Sequence, residues 1–371
     1  MEPPPPVRED RRFTTPDARS IAYEIRGDLA AKHVVFWNHG IISSRHAPEP
    51  AVQSVTDIAS SQAGKGHQQS PDTWAMMSCM RCHRYEVMST DEDLLGELDM
   101  VLIGVDRPGY GGSDPHPNRT FRSYAEDLGG LADHLKAPQF FVVGVSGGGP
   151  YAYAAAHFLP DRVRGVMTIS TLAPANMMTA EEEARHFAEM DSVGETLARL
   201  FRRHRSLART VRSAAQSAAG GRALFHAFLQ PLASNCLRLM AENDRHEEHR
   251  EYTELIVPES LRQRTAAMFF DDVWLFEQPW EFDVRAIRPD IQRSTHIWHG
   301  TGDKQVPWVA ANVLHRLMPA AHLHLVDGGG HFAYYVCDKK TQRQALESLL
   351  KSGAKLKEDA RPPIIMHNPN I

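Results

Sequence analysis

The sequence predicts an α/β fold: a doubly wound, mainly parallel sheet with helices on both faces and a helical cap inserted between two of its strands. Three observations predict it. Six short apolar runs rich in β-branched and aromatic residues recur along the 371-residue chain, each with the length and character of a strand buried on both faces. Helical patterns lie between most of them, the alternation that yields parallel strands joined by crossover helices. That alternation stops after Ser170 and resumes near Thr295, and the segment between reads as helical.

Taken in order, residues 1–12 carry proline and charge (MEPPPPVRED) where a secretory leader would carry an apolar run, and read as a flexible arm. RRFTTPDARSIAYEIRGD reads as two strands around a turn at Pro16–Asp17, an antiparallel lead-in at the sheet edge. The buried strands are HVVFWNHG (33–40), MVLIGVD (100–106), QFFVVGVS (139–146), VRGVMTIS (163–170), THIWHG (295–300) and HLHLVD (322–327). Helices are expected over 121–135, 148–159, 306–318 and 339–351. The core then comprises residues 13–173 and 287–352, and the cap residues 174–286.

Within the cap, Thr179 followed by Glu182 makes a capping box, and three glutamates occupy the first turn, where the helix dipole favours them. LARLFRRHRSLARTVRS (197–213) is rich in arginine and holds no acid. Its leucines form no wide apolar stripe, so it reads as the solvated face of a cap helix rather than a membrane-surface helix. The apolar side chains of AAMFFDDVWLF (266–276) read as cap core. Residues 48–98 shift to Ser, Gln, Gly, Met and Asp with little periodicity, an irregular insertion of low expected order. Residues 353–371, polar and proline-rich, read as a loose tail.

Composition excludes several classes. Forty-one basic residues face 46 acidic ones, a formal net charge of -5, so nucleic acid is not expected as a partner. No apolar run reaches membrane-spanning length, and an integral membrane segment is not expected. Four scattered cysteines form no disulfide framework. A cytoplasmic protein acting on a small molecule is the expectation; the sequence sets no oligomeric state. CMRCH (79–83) matches the spelling of c-type haem attachment, but no pocket, distant ligand or export route accompanies it. A zinc site would need two further regularly spaced ligands, so the match reads as chance.

The motif that carries chemistry is Gly144-Val145-Ser146-Gly147-Gly148, which fits G-x-S-x-G at a strand-to-helix turn. Such a turn lifts a serine oxygen clear of the backbone, with small neighbours giving it room. Pro150 falls in the first turn of the following helix, where its missing N–H is harmless. A phosphate-binding reading fails, because Gly-Lys-Ser/Thr is absent and no acid ends the next strand. A serine hydroxyl needs a base to take its proton and an acid to orient that base. Asp303 follows the strand THIWHG, and His331 follows HLHLVD, both beyond strand ends. The order Ser146, Asp303, His331 is that of a serine hydrolase on this type of sheet. The tetrahedral oxyanion needs donors too. Gly147 N–H, at a helix N-terminus, and Ile41 N–H, in the loop after WNHG, are the candidates. His39 reads as a brace for that loop, and Asp106 and Arg107 of DRPGYGGSD (106–114) as structural.

These residues resemble those of the α/β-hydrolases, in the group of esterases, lipases and prolyl-aminopeptidase-like enzymes. The resemblance runs over Phe13 to about Pro48 and Met100 to about Leu350, through TTPDARSIAYEIRGD, NHG, DRPGYGGSD, GVSGGGPYAYAAA, EQPWEFDVRAI, HGTGDKQVP and GGGHF. It implies Ser146 as nucleophile, Asp303 as acid, His331 as base, Ile41 and Gly147 as oxyanion hole, and no metal or organic cofactor. It also marks the 48–98 insertion as a departure, since relatives connect these two strands by a much shorter loop. Ser146 stands where the epoxide hydrolases and haloalkane dehalogenases of this superfamily need aspartate, which excludes those two chemistries.

The expected activity is hydrolysis of a small-molecule ester, thioester or amide through an acyl-enzyme on Ser146, a carboxylic-ester hydrolase in preference to a peptidase. Competing readings are a catalytically weak or inactive receptor or interaction protein on the same fold, an acyltransferase with an alcohol acceptor, and a haem or metal protein through CMRCH.

Overall fold

The computed structural model of the protein describes residues 11–41, 43, 45, 92–230, 260–331, 334, 339–353 and 365–367. Two edge strands, β1 (Arg11–Thr14) and β2 (Ser20–Arg26), form the antiparallel lead-in, and the six apolar runs become β3 (His33–Asn38), β4 (Met100–Val105), β5 (Phe140–Val145), β6 (Val163–Ile169), β7 (Thr295–Gly300) and β8 (His322–Val326). With β9 (Ile365–His367) they make one nine-stranded sheet in the order β1-β2-β4-β3-β5-β6-β7-β8-β9 among the described residues. From β4 to β9 every pairing is parallel; β2 joins β4 antiparallel.

Period-two alternation divides the core between the two sheet faces. Phe36, Val142, Val166 and Ile297 point to one face, against α2 (Phe121–His134), α3 (Gly149–Phe158) and α10 (Val309–Leu317). Val35, Trp37, Val143, Met167 and Trp298 point to the other, against α1 (Glu92–Glu97) and α11 (Lys339–Ser352). Burial on both sides explains why these strands read as mainly apolar runs without strict alternation. α2 begins with its own capping box, in which Thr120 Oγ1 accepts from Ser123 N–H and Ser123 Oγ accepts from Thr120 N–H.

Between β6 and β7 lie α4 (Ala180–Glu189), α5 (Ser192–Arg203), α6 (Arg205–Gln216), α7 (Ala218–Leu224), α8 (Ala267–Glu277) and the short α9 (Pro289–Arg293). The capping box of α4 forms with both hydrogen bonds, 3.2 Å to Thr179 Oγ1 and 2.8 Å to Glu182 Oε2. A separate apolar cluster joins α5, α6, α7 and α8 to one another and to Tyr110 of the core, with Phe201, Ala208, Phe225, Phe269 and Phe270 at its centre.

Three expectations differ from the structure. The arginine-rich segment is not solvated throughout: Arg202 turns onto Glu277 (2.7 Å) and Glu183 (2.8 Å), and Arg212 onto Asp271 (2.5 Å), while residues 203–207 stay exposed. The missing acids come from other helices, which no local pattern reveals. The tail is not loose throughout either, because Ile365–His367 pairs in parallel with His324–Val326 and occupies the open edge of β8. The N-terminal strand starts at Arg11, two residues before the expected core boundary. Most of the 48–98 insertion, CMRCH included, lies outside the described residues; its last part forms α1, which buries Leu95 against β4.

Candidate active site

In this strand order β3 lies between β4 and β5: the chain steps from β3 to β4 on one side and then crosses back past β3 to β5 on the other, so the direction of winding reverses there. Crevices for ligands form at such a switch point, outside the carboxyl ends of the strands. The loops carrying Ile41, Ser146, Asp303 and His331 follow β3, β5, β7 and β8, so all four emerge at that end of the sheet.

Ser146 follows directly on β5 and has a left-handed backbone, φ +51°. Non-glycine residues rarely hold that conformation unless their surroundings enforce it. Here the neighbours do. A Cβ on Gly144 would lie 2.6 Å from Gly148 O, and one on Gly148 would overlap Asn38 O, so the turn closes only with glycine at both positions. Thr171 Oγ1 donates to Ser146 O (2.9 Å) and braces the turn from the loop after β6. α3 then starts at Gly149, and its positive end faces the turn.

Gly40 touches the serine: a Cβ there would lie 3.3 Å from Ser146 Cβ and 3.9 Å from Oγ. The next residue, Ile41, packs against Gly147, whose Cα also faces the Phe276 ring of α8. Ile41, Ser146 and Gly147 therefore form one contact group, beneath a ring supplied by the helical insertion.

Asp303 and His331 form a second. Asp303 Oδ2 lies 2.8 Å from His331 Nδ1, and both residues are buried. Asp303 Oδ1 accepts the N–H groups of Gln305 (2.9 Å) and Val306 (3.0 Å), while His299 Nε2 stands 3.4 Å from Oδ2 and donates to Val306 O (2.7 Å). Burial pushes the Asp303 carboxyl up, but the imidazoles of His331 and His299 outweigh it and hold the carboxyl well below the usual range. A carboxylate only accepts, so Nδ1 of His331 carries the proton and Nε2 is the basic nitrogen.

The loop after β3 is braced as expected of His39, whose Nδ1 donates to Gly40 O (2.8 Å) while its Nε2 accepts Arg107 N–H (3.1 Å). Complete burial, then the charge of Arg107, pushes its pKa well down, and the ring is neutral. Asp106 holds the loops together by accepting from Arg45 N–H (2.7 Å) and Gly112 N–H (2.9 Å).

Asp272 of α8 went unread in the sequence, where it looks like one more residue of an apolar cap helix. Its Oδ2 accepts from Arg107 Nη2 and Tyr110 OH, both at 2.8 Å, and its Oδ1 from Arg119 Nη2 (2.5 Å) and Tyr151 OH (2.6 Å). All five side chains are buried. Burial pushes the Asp272 carboxyl up; the guanidiniums of Arg119 and Arg107 more than offset that and keep it ionised. The available signal was chemical: an acid within AMFFDDVWLF needs a buried cation, and DRPGYG supplies one.

A cavity of about 260 Å³ opens between the inserted helices and the segment after β4, lined by Gly109, Arg119, Arg222, Arg264 and Met268 among others. Its lining includes none of Ser146, Asp303 and His331. Among the described residues, no group of three or more His, Cys, Asp or Glu side chains could hold a metal ion, and no helix is long and apolar enough to cross a membrane.

Comparison with known proteins agrees with this architecture. A poly(3-hydroxyalkanoate) depolymerase from Ectopseudomonas oleovorans is 38% identical over 82 residues, which is 22% of this chain and 29% of that protein's length. A hydrolase from Pseudomonas aeruginosa PA01 superposes with a TM-score of 0.56 at 15% identity, over 92% of this chain and 97% of the other. A carboxylesterase structure from Nitrososphaera gargenis gives 0.52 at 14% identity (92% and 98%), and an alpha/beta hydrolase fold protein from Nakamurella multipartita 0.51 at 22% (93% and 99%). At these identities the structures speak for the fold. The family model described as alpha/beta hydrolase fold matches residues 92–336, from the helix before β4 to the loop after β8. On that match, and on a sheet that carries its loops as described above, the chain belongs to the alpha/beta hydrolase fold family.

Proposed function

We infer that the protein is a serine hydrolase that cleaves a small-molecule ester, thioester or amide through an acyl-enzyme on Ser146. The observation that carries this reading is Ser146 itself, held in a left-handed turn at the head of α3, against Gly40, with the His331–Asp303 pair at the same end of the sheet. In the proposed reaction His331 Nε2 takes the Ser146 proton as Oγ attacks the carbonyl carbon. The carbonyl oxygen gains the negative charge and is received by the N–H groups of Ile41 and Gly147. His331 returns the proton to the leaving alcohol, thiol or amine. Water then repeats the sequence on the acyl-enzyme and releases the acid. Asp303 keeps Nδ1 protonated and stabilises the imidazolium.

The helical insertion, residues 174–286, would roof the pocket and set the size of the acyl or alcohol group. Poly(3-hydroxyalkanoate) linkages are esters, so the local likeness to a depolymerase favours an ester within this class. The fold family implies no organic cofactor, and the proposed steps need none. The test is turnover of p-nitrophenyl esters of increasing chain length, with thioester and anilide analogues beside them. The expected result is hydrolysis by wild type that Ser146→Ala lowers by roughly 10⁶-fold in kcat. Full activity in Ser146→Ala on every substrate cleaved would sink the reading.

A further inference from the structure

The Gly40 carbonyl and the Ile41 N–H are the two ends of one peptide unit. That unit is planar and trans, so its C=O and N–H point in opposite directions, and whatever holds the oxygen aims the nitrogen. Gly40 O is held twice, by His39 Nδ1 at 2.8 Å and by Arg107 Nη2 at 3.1 Å. Arg107 Nη1 donates to the preceding carbonyl, His39 O. Two successive carbonyls are thus gripped by one planar fork, which a guanidinium alone among side chains can present. The fork is itself immobilised. It lies 4.7 Å from the ring centroid of Tyr110 and 5.1 Å from that of Tyr151, and Nη2 also reaches Asp272 Oδ2 at 2.8 Å. No part of Arg107 is exposed.

A loop clip needs no charge, and burying a cation with its counter-ion is expensive. The charge has a use here: a cationic donor on Gly40 O polarises the peptide and strengthens the N–H at its other end. That N–H belongs to the residue packed against Gly147, directly after the glycine that meets Ser146.

We propose that Arg107 is a positioning residue for the reaction, aiming and polarising the Ile41 N–H toward the oxyanion of the tetrahedral intermediate, and that Asp272 of the cap helix α8 holds Arg107 in that register. The proposal rests on the serine-hydrolase reading above. It makes the oxyanion donor dependent on the docked cap, through a side chain that never touches substrate.

The test compares Arg107→Gln, Arg107→Lys and Tyr151→Phe with wild type. Endpoint titration with a fluorophosphonate counts competent serines, so every rate is expressed per titrated site and an unfolded fraction drops out. Steady-state hydrolysis of p-nitrophenyl butyrate is measured together with the affinity of an alkyl trifluoromethyl ketone, whose hemiketal oxyanion uses the same donors. For Arg107→Gln, kcat per site should fall by about 10- to 100-fold with KM changed by less than about threefold, and ketone affinity should fall in parallel. Arg107→Lys keeps the charge without the fork and should lose less, on the order of 5- to 10-fold. Tyr151→Phe removes a hydrogen bond to the other oxygen of Asp272 and should lower the melting temperature while leaving kcat per site within about threefold. An Arg107→Gln enzyme with kcat per site and ketone affinity both within about threefold of wild type overturns the proposal, whatever its stability. If Arg107→Gln yields no folded protein, Arg107→Lys decides by the same criterion. A wild type without a titratable serine overturns both this proposal and the function beneath it; a titratable wild type with an indifferent Arg107→Gln removes this one alone.

Discussion

At the scale of single residues, the candidate site is built on two side chains whose environments are set by backbone groups. Ser146 sits at φ +51°, a conformation that costs on the order of 1–3 kcal/mol in a non-glycine residue and persists only where packing enforces it. Asp303 is fixed by two peptide N–H groups on one oxygen and His331 on the other. Because its folded pKa is depressed, its stabilising contribution is complete above the unfolded carboxylate value of about 3.9 and is lost as pH falls through the lower folded value. Asp303 is therefore charged throughout the neutral range. Asp303→Asn replaces an acceptor with a group that can donate to Nδ1, which favours the wrong tautomer of His331. We expect kcat on p-nitrophenyl butyrate to fall on the order of 10⁴-fold, with the acid dependence of stability below pH ~4 flattened. A fall of less than about tenfold would contradict the role assigned to Asp303. The catalytic roles of Ser146, Asp303 and His331 belong to the proposed function, but their positions just beyond strand ends were legible because each is tied to its strand by a short local pattern. The grip of Arg107 on Gly40 was not, since it depends on which peptide oxygen a buried guanidinium meets 67 residues away along the chain.

At the scale of elements, the buried strands were legible to within a residue or two because both of their faces are covered, and burial on two faces keeps the runs mainly apolar, with Thr168, Thr295, His296 and His299 as buried exceptions. β9 was illegible for the converse reason: three residues in a polar, proline-rich tail carry no pattern, and only the open edge of β8 gives them a partner. α8 shows how an element can be read correctly as core and still be misread in function. Phe269 and Phe270 pack among the inserted helices as expected, but Phe276 turns to Phe121 and Tyr151 of the core, and Asp272 fastens the helix to the loop after β4 and to Arg119 and Tyr151. Removing that carboxylate strands two buried guanidiniums. Asp272→Ala is expected to lower unfolding free energy by about 3–5 kcal/mol, read from urea denaturation, which is more than a surface ion pair would give. A loss below about 1 kcal/mol would show that the node does not hold α8 to the segment after β4.

At the scale of the whole molecule, the sheet order places the loops after β3, β5, β7 and β8 at one end, and the helical insertion between β6 and β7 brings Phe276 to the same place. Long-range pairings of this kind are where sequence reading ran out. The partners of Asp272 lie 121 to 165 residues away, and no periodicity connects them. What sequence did convey at this scale was chain order, Ser146 then Asp303 then His331, together with the alternation of strands and helices that forces those residues to one end. The central claim is that this end of the sheet holds an activated serine. The most direct measurement is labelling of the purified protein with a fluorophosphonate probe, with Ser146→Ala and His331→Ala in parallel and the modified peptide identified by mass spectrometry. The account predicts one adduct per chain on the peptide containing Ser146, absent from Ser146→Ala and abolished or greatly slowed in His331→Ala. A folded wild-type protein that takes up no probe, or one labelled equally in all three forms, would contradict it.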